Sequence, residues 1–216
     1  MGVRIKICGV TTVEAAEAAS ALGADAVGFV FADSPRQVSI DTALELARHL
    51  SPMVTRVAVF RYPSAASVSD VLRHFRPDVI QAEPSVDVID AIGDSARLLP
   101  VFHDSQDLAE RVAGYTTDRA PGDAVLLEGQ GRGGRGEPPS WERAADVARI
   151  APLVLAGGLA PHNVVDAILK VRPHAVDVSS GVESKIGVKD SGLIAQFIEA
   201  ARRAERQMEI MQEPAR

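Results

Sequence analysis

The chain has a single cysteine, Cys8, among its 216 residues. One cysteine excludes an internal disulfide and a multi-cysteine zinc site, and it fits a reducing compartment, the cytoplasm by default. Aromatic residues are scarce, with one Trp, two Tyr and six Phe, and the net charge is −6. Little is available to stack on bases, and the charge argues against non-specific binding to a phosphate backbone. No apolar run approaches the roughly 20 residues of a bilayer-spanning helix, so neither nucleic acid nor membrane is an expected partner. Residues Met1 to Lys6 lead straight into a strand pattern without the apolar core of a signal peptide, so a soluble protein is expected. The five histidines are scattered without ligand spacing, and no metal is indicated. An anionic small molecule would need local cationic groups.

What the chain does contain is an alternation of short apolar runs with helical stretches. The runs end at Cys8 and then cover 24–31, 55–60, 78–81, 97–102, 124–128, 153–156 and 175–179. Helical segments follow at 13–22, 39–49, 67–75, 86–92, 106–114, 141–150, 161–171 and 191–212; the first opens on the capping-box pattern Thr11-Thr12-Val13-Glu14. Near-continuous apolar strands are those of a parallel sheet buried on both faces. Eight repeats of strand and helix select an α/β fold of the (β/α)8 TIM-barrel type over an open doubly wound sheet. Arg76-Pro77-Asp78-Val79-Ile80 is echoed by Arg172-Pro173-His174-Ala175-Val176, as a recurring unit would be. No linker or shift in composition divides the chain, so residues 1–216 are expected to form one domain.

Barrels of this kind keep their chemistry at the C-terminal strand ends. Cys8 sits at such an end, and Lys6, two residues earlier, points to the same side one layer below. A nearby ammonium favours the thiolate, so Cys8 is a candidate base or nucleophile, the alternative being a small buried hydrophobe. Gly157-Gly158 and Ser180-Gly181 follow the seventh and eighth strands, where glycine-rich backbone in barrels often cradles phosphate. Arg36, beyond the second strand, reads either as a bidentate partner for a carboxylate or as a solvated surface residue. Glu128 closes the sixth strand and is a candidate carboxylic acid facing Cys8. The glycine- and arginine-bearing segment 129–137 reads equally as a mobile lid or a plain connection. Glu83, His103 and Asp104 also fall at strand ends, where polar rim residues are common. A thiolate opposite a carboxylic acid, with separate anchors for phosphate and carboxylate, suits proton transfer better than group transfer.

Several blocks together resemble phosphoribosylanthranilate isomerase, a family of tryptophan-pathway barrels. They are Lys6-Ile7-Cys8-Gly9-Val10-Thr11, Gly23 to Phe31, Ser34-Pro35-Arg36, Leu155-Ala156-Gly157-Gly158-Leu159, Val176 to Glu183 and Gly187-Val188-Lys189-Asp190. The resemblance implies an Amadori rearrangement of N-(5-phosphoribosyl)anthranilate without cofactor or metal. It also implies a small phosphorylated substrate as the partner of a monomer or homodimer. Carried onto this sequence, it makes Cys8 the base and Arg36 the grip on the anthranilate carboxylate, with Gly157, Gly158, Ser180 and Gly181 holding the phosphate. Lys6, Gln81, Asp177 and Ser179 are expected in the same substrate pocket. The chain departs from the family at Glu128, where the family's acid is an aspartate. It departs again at Gln81-Ala82-Glu83-Pro84, where the family reads Gln-Leu-His-Gly, and at Gly133-Gly134-Arg135-Gly136, where it reads Gly-Gly-Thr-Gly. These departures leave two other readings: an enzyme for a different phosphoribosyl amine, of the histidine-pathway type, or a barrel that binds a sugar phosphate without turnover.

Overall fold

A computed structural model of the chain describes residues 2–117, 123–129 and 138–212. The strands are β1 (Arg4–Cys8), β2 (Ala26–Val30), β3 (Thr55–Val59), β4 (Val79–Ala82), β5 (Arg97–His103), β6 (Val125–Glu128), β7 (Leu153–Leu155) and β8 (Ala175–Val178). They pair in parallel in sequence order and close into a barrel, β8 returning to β1 with Lys6 opposite Asp177. The helices are α1 (Val13–Ala21), α2 (Ile40–Ala47), α3 (Ala65–His74), α4 (Val86–Ile92), α5 (Leu108–Thr116), α6 (Trp141–Ala148), α7 (Val164–Val171) and α8 (Ser191–Gln212). The expected alternation and barrel are therefore present.

Several helix starts share one device. Thr12, Ser39, Ser64, Ser85 and Ser140 each accept a hydrogen bond from the amide three residues on, satisfying a donor that the helix leaves unpaired. The strands follow period-two alternation. Ile5, Ile7, Val27, Phe29, Ile80, Leu127, Leu155 and Val176 face outward into the shell shared with the helices. Leu99, Val101, Leu126, Val154, Ala156 and Ala175 form a smaller core inside the barrel. Lys6, Gln81 and Asp177 are polar residues buried on the same inner face.

The chain differs from the sequence expectation at two places. Pro161 does not open α7; a turn precedes the helix because the Asn163 carboxamide accepts from the Ala160 amide and donates to the Gly158 carbonyl. After β8 comes a single 3-10 turn, Ser180–Val182, and then an unexpected hairpin of β9 (Glu183–Lys185) and β10 (Val188–Lys189). Of the segment 129–137, only Gly129 is among the described residues, so its reading as lid or connection lies outside them.

Candidate active site

Cys8, His103 and Glu128 are the last residues of β1, β5 and β6, and strand alternation puts Lys6, Gln81 and Asp177 on the same inner wall. The Lys6 ammonium donates to Asp177 Oδ1 at 2.9 Å, and the two residues are 4% and 6% exposed. Burial opposes the charge on Lys6, but Asp177 and an ionised Cys8 hold the ammonium above the ordinary lysine range. For Cys8 the balance goes the other way. Burial pushes its thiol up, Lys6 pulls it down, Asp177 pushes it up again and Lys189 pulls it down, with a net upward shift. The expected lowering by Lys6 is thus outweighed, because the site is dry and Asp177 answers much of the ammonium's charge.

Two glycines make room around the thiol. A Cβ at position 28, across the β1–β2 pair, would stand 3.0 Å from Cys8 Sγ. Gly9 has φ +73, and a Cβ there would stand 2.6 Å from Arg36 Cδ. The stem of Arg36 therefore lies over the residue that follows Cys8. Arg36 is 8% exposed, which excludes the solvated-surface reading. Its Nε and Nη2 donate to the two oxygens of Glu183 at 2.7 and 2.9 Å. That pair occupies the side edge of the guanidinium and leaves its Nη1/Nη2 end to grip another carboxylate.

Glu183 is shared. Lys189 Nζ donates to it at 2.7 Å and also to the Ser179 carbonyl at 3.0 Å and Ser179 Oγ at 3.2 Å. Burial pushes the Glu183 carboxyl up, but Arg36 and Lys189 bring it below the usual carboxylate range. Neither Glu183 nor Lys189 stood out in the sequence as a site residue. Their only signal was membership of blocks that match the family.

On the far wall, Glu128 is partly buried. Burial and the charge of Asp177 push its carboxyl up, against the pull of His103 and Lys6, with a net upward shift. Cys8 and Glu128 both respond to the one Lys6–Asp177 pair. His103, opposite Glu128 in register, reaches Glu83 Oε1 through Nε2 at 3.4 Å. Two of the sequence's departures from the family, at Glu83 and Glu128, thus flank one histidine. Asp104 is committed elsewhere: it receives two hydrogen bonds from Arg143 at 2.6 Å and one from the Ser140 amide at 2.8 Å, and so anchors the start of α6.

The loops after β7 and β8 meet. A Cβ on Gly181 would fall 2.0 Å from the Leu159 carbonyl oxygen, so only glycine allows this approach. Gly157 and Gly158 are consecutive left-handed residues, with φ of 84 and 64. Among the described residues, their amides donate to no protein acceptor. Two such amides in sequence form a concave anion-binding nest. Ser179 and Ser180 precede Gly181 in the loop that meets Leu159, and Gln81 Oε1 is buried without a hydrogen-bond partner among the described residues.

Comparison with known proteins points one way. The sequence pattern of the family described as N-(5'-phosphoribosyl)anthranilate (PRA) isomerase matches residues 5–200. The N-(5'-phosphoribosyl)anthranilate isomerase of Pseudomonas paraeruginosa is 42% identical over 209 residues, covering 93% of this chain and 95% of that protein. The crystal structure of phosphoribosyl anthranilate isomerase from Thermus thermophilus aligns with a TM-score of 0.83 at 33% identity, covering 93% of this chain and 99% of that one. A phosphoribosyl anthranilate isomerase crystallised with reduced 1-(o-carboxyphenylamino)-1-deoxyribulose 5-phosphate aligns with a TM-score of 0.80 at 34% identity, with the same coverage.

Proposed function

The chain belongs to the N-(5'-phosphoribosyl)anthranilate isomerase family, and we propose that it performs the Amadori rearrangement of tryptophan biosynthesis with Cys8 as general base and Glu128 as general acid. The substrate is N-(5-phosphoribosyl)anthranilate, a small phosphorylated molecule. Glu128 gives its proton to the furanose oxygen; the C1–O bond breaks towards that oxygen, and the ring opens to a Schiff base. The Cys8 thiolate then takes the proton from C2, and the bonding pair shifts to give an enolamine. Tautomerisation yields 1-(2-carboxyphenylamino)-1-deoxyribulose 5-phosphate.

The observation that carries this assignment is the buried Lys6–Asp177 pair, whose charges act on Cys8 and Glu128 together. Burial and Asp177 shift Glu128 towards its protonated form, which favours its use as a proton donor. The same burial leaves only a small fraction of Cys8 ionised at neutral pH, yet a thiolate of raised proton affinity is a stronger base once formed. Lys6 stands ready to meet its charge, and Asp177 holds Lys6 in place. The free end of Arg36 takes the anthranilate carboxylate, and the Gly157-Gly158 nest takes the phosphate with Ser179, Ser180 and Gly181. Gln81 offers an unsatisfied acceptor to the sugar. On this reading the protein is a cytoplasmic enzyme formed by one barrel domain, monomeric or homodimeric, that needs neither cofactor nor metal.

A fluorescence assay on freshly prepared phosphoribosylanthranilate tests the acid. Glu128→Gln is expected to lower kcat by roughly 10²–10⁴-fold. Turnover at the unmodified rate removes Glu128 from the mechanism.

A further inference from the structure

Three consecutive strand ends bring Glu83, His103 and Glu128 to one side of the barrel mouth. Glu83 follows β4 directly, His103 ends β5 and Glu128 ends β6. His103 and Glu128 are register partners, so both side chains leave the sheet on its inner face. Glu83 is held from two directions: one oxygen meets His103 Nε2 at 3.4 Å, and the other accepts the Tyr62 amide at 2.8 Å. Tyr62 has φ 43, a left-handed conformation that a tyrosine seldom adopts, and it places that amide on the carboxylate. His103 Nδ1 is buried, and the Gly129 backbone lies within reach of the ring and favours its charged form.

We propose that Glu83 and His103 are positioning residues for the acid: Glu83 holds an imidazolium on β5, and that charge steadies the carboxylate Glu128 becomes after proton donation. The inference rests on the reading of Glu128 as general acid. His103 keeps its own proton throughout; the proton Glu128 loses goes to the furanose oxygen, and the electrons of the C1–O bond go to the same oxygen. The charged groups facing Glu128 are Asp177 from β8, His103 from β5, Lys6 from β1 and Glu83 beyond β4. Asp177 and Glu83 oppose a carboxylate there. Lys6 favours one, but it is closely matched by Asp177 at 2.9 Å. His103 meets its own anion at 3.4 Å, a looser pairing that leaves more of its charge for Glu128. Glu83 pushes the His103 titration above the ordinary histidine range against the effect of burial, and Glu128 adds to this once it is ionised.

The test uses the full chain with 13C-labelled glutamate carboxyls, the Glu128 resonance being identified by its loss in Glu128→Gln. In His103→Gln the Glu128 carboxyl is expected to titrate about one pH unit higher, and kcat to fall about tenfold while KM changes little. In His103→Lys, which restores a cation, kcat is expected to recover part of that loss. In Glu83→Gln the His103 ring is expected to titrate at lower pH. An unmoved Glu128 titration in His103→Gln, with Glu128→Gln inactive, overturns this inference alone. Full turnover by Glu128→Gln overturns the acid assignment and this inference with it.

Discussion

Replacing Gly28 with alanine adds one methyl beside the thiol and changes no charge. The added Cβ would stand 3.0 Å from Cys8 Sγ, 3.2 Å from Val59 Cγ2 and 3.3 Å from Cys8 Cα. Carbon atoms rest at roughly 3.5–4.0 Å from one another, so Cys8 has to retreat by about half an ångström. The backbone is no obstacle, because Gly28 is not among the glycines with positive φ. Alanine also removes freedom from the unfolded chain, a gain of about 0.4–1 kcal/mol, against an overpacking cost of about 1–3 kcal/mol. The net loss is then at most about 2–3 kcal/mol, a fall in Tm of roughly 4–10 °C for a domain of this size. Catalysis should suffer more. A misplacement of 1 Å can cost about a hundredfold, so half that distance should lower kcat roughly tenfold. Arg36 and Gly157-Gly158, the proposed anchors of carboxylate and phosphate, are untouched, so affinity for the reduced product analogue should hold. Steady-state fluorescence at a temperature well below Tm measures the first quantity, and analogue titration the second. If kcat is unchanged while the Tm shift confirms the squeeze, the position of the thiol does not matter to the chemistry.

Two further outcomes follow from the same electrostatics. Asp177→Asn leaves the Lys6 ammonium buried without its anion, and urea denaturation should show a loss of about 3–5 kcal/mol; a change below 1 kcal/mol would mean that Lys6 finds water or another partner. Because Cys8 is the only cysteine, iodoacetamide labelling reports on it alone. Its thiol is pushed up, so the thiolate accumulates only at alkaline pH and the labelling rate should keep climbing above neutrality. A rate already flat at pH 7 would contradict the upward shift.

Much of the fold was legible because a parallel barrel buries both faces of its strands, which leaves short apolar runs separated by capped helices. The pairing of Lys6 with Cys8 on one wall followed from strand alternation alone. The direction of the shift at Cys8 did not, because it is a balance of dryness, Lys6 and Asp177 that spacing cannot weigh. Glu183 and Lys189 were missed for a different reason. Nothing local in the sequence ties Glu183 and Lys189 to Arg36, and only the β9–β10 hairpin folds them back onto it. His103 and Asp104 are adjacent in the chain, yet one ends β5 beside Glu128 while the other, just past the strand, is claimed by Arg143. No local pattern separates their roles.

The central claim is that the Cys8 sulfur removes the C2 proton, and the most direct measurement compares Cys8→Ser with the unmodified protein in turnover and in affinity for the reduced product analogue. A serine hydroxyl fits the same space but holds its proton far more tightly. Turnover is expected to fall by about 10³-fold or more, with analogue affinity within about twofold. Turnover within tenfold of the unmodified protein would show that another group takes the proton.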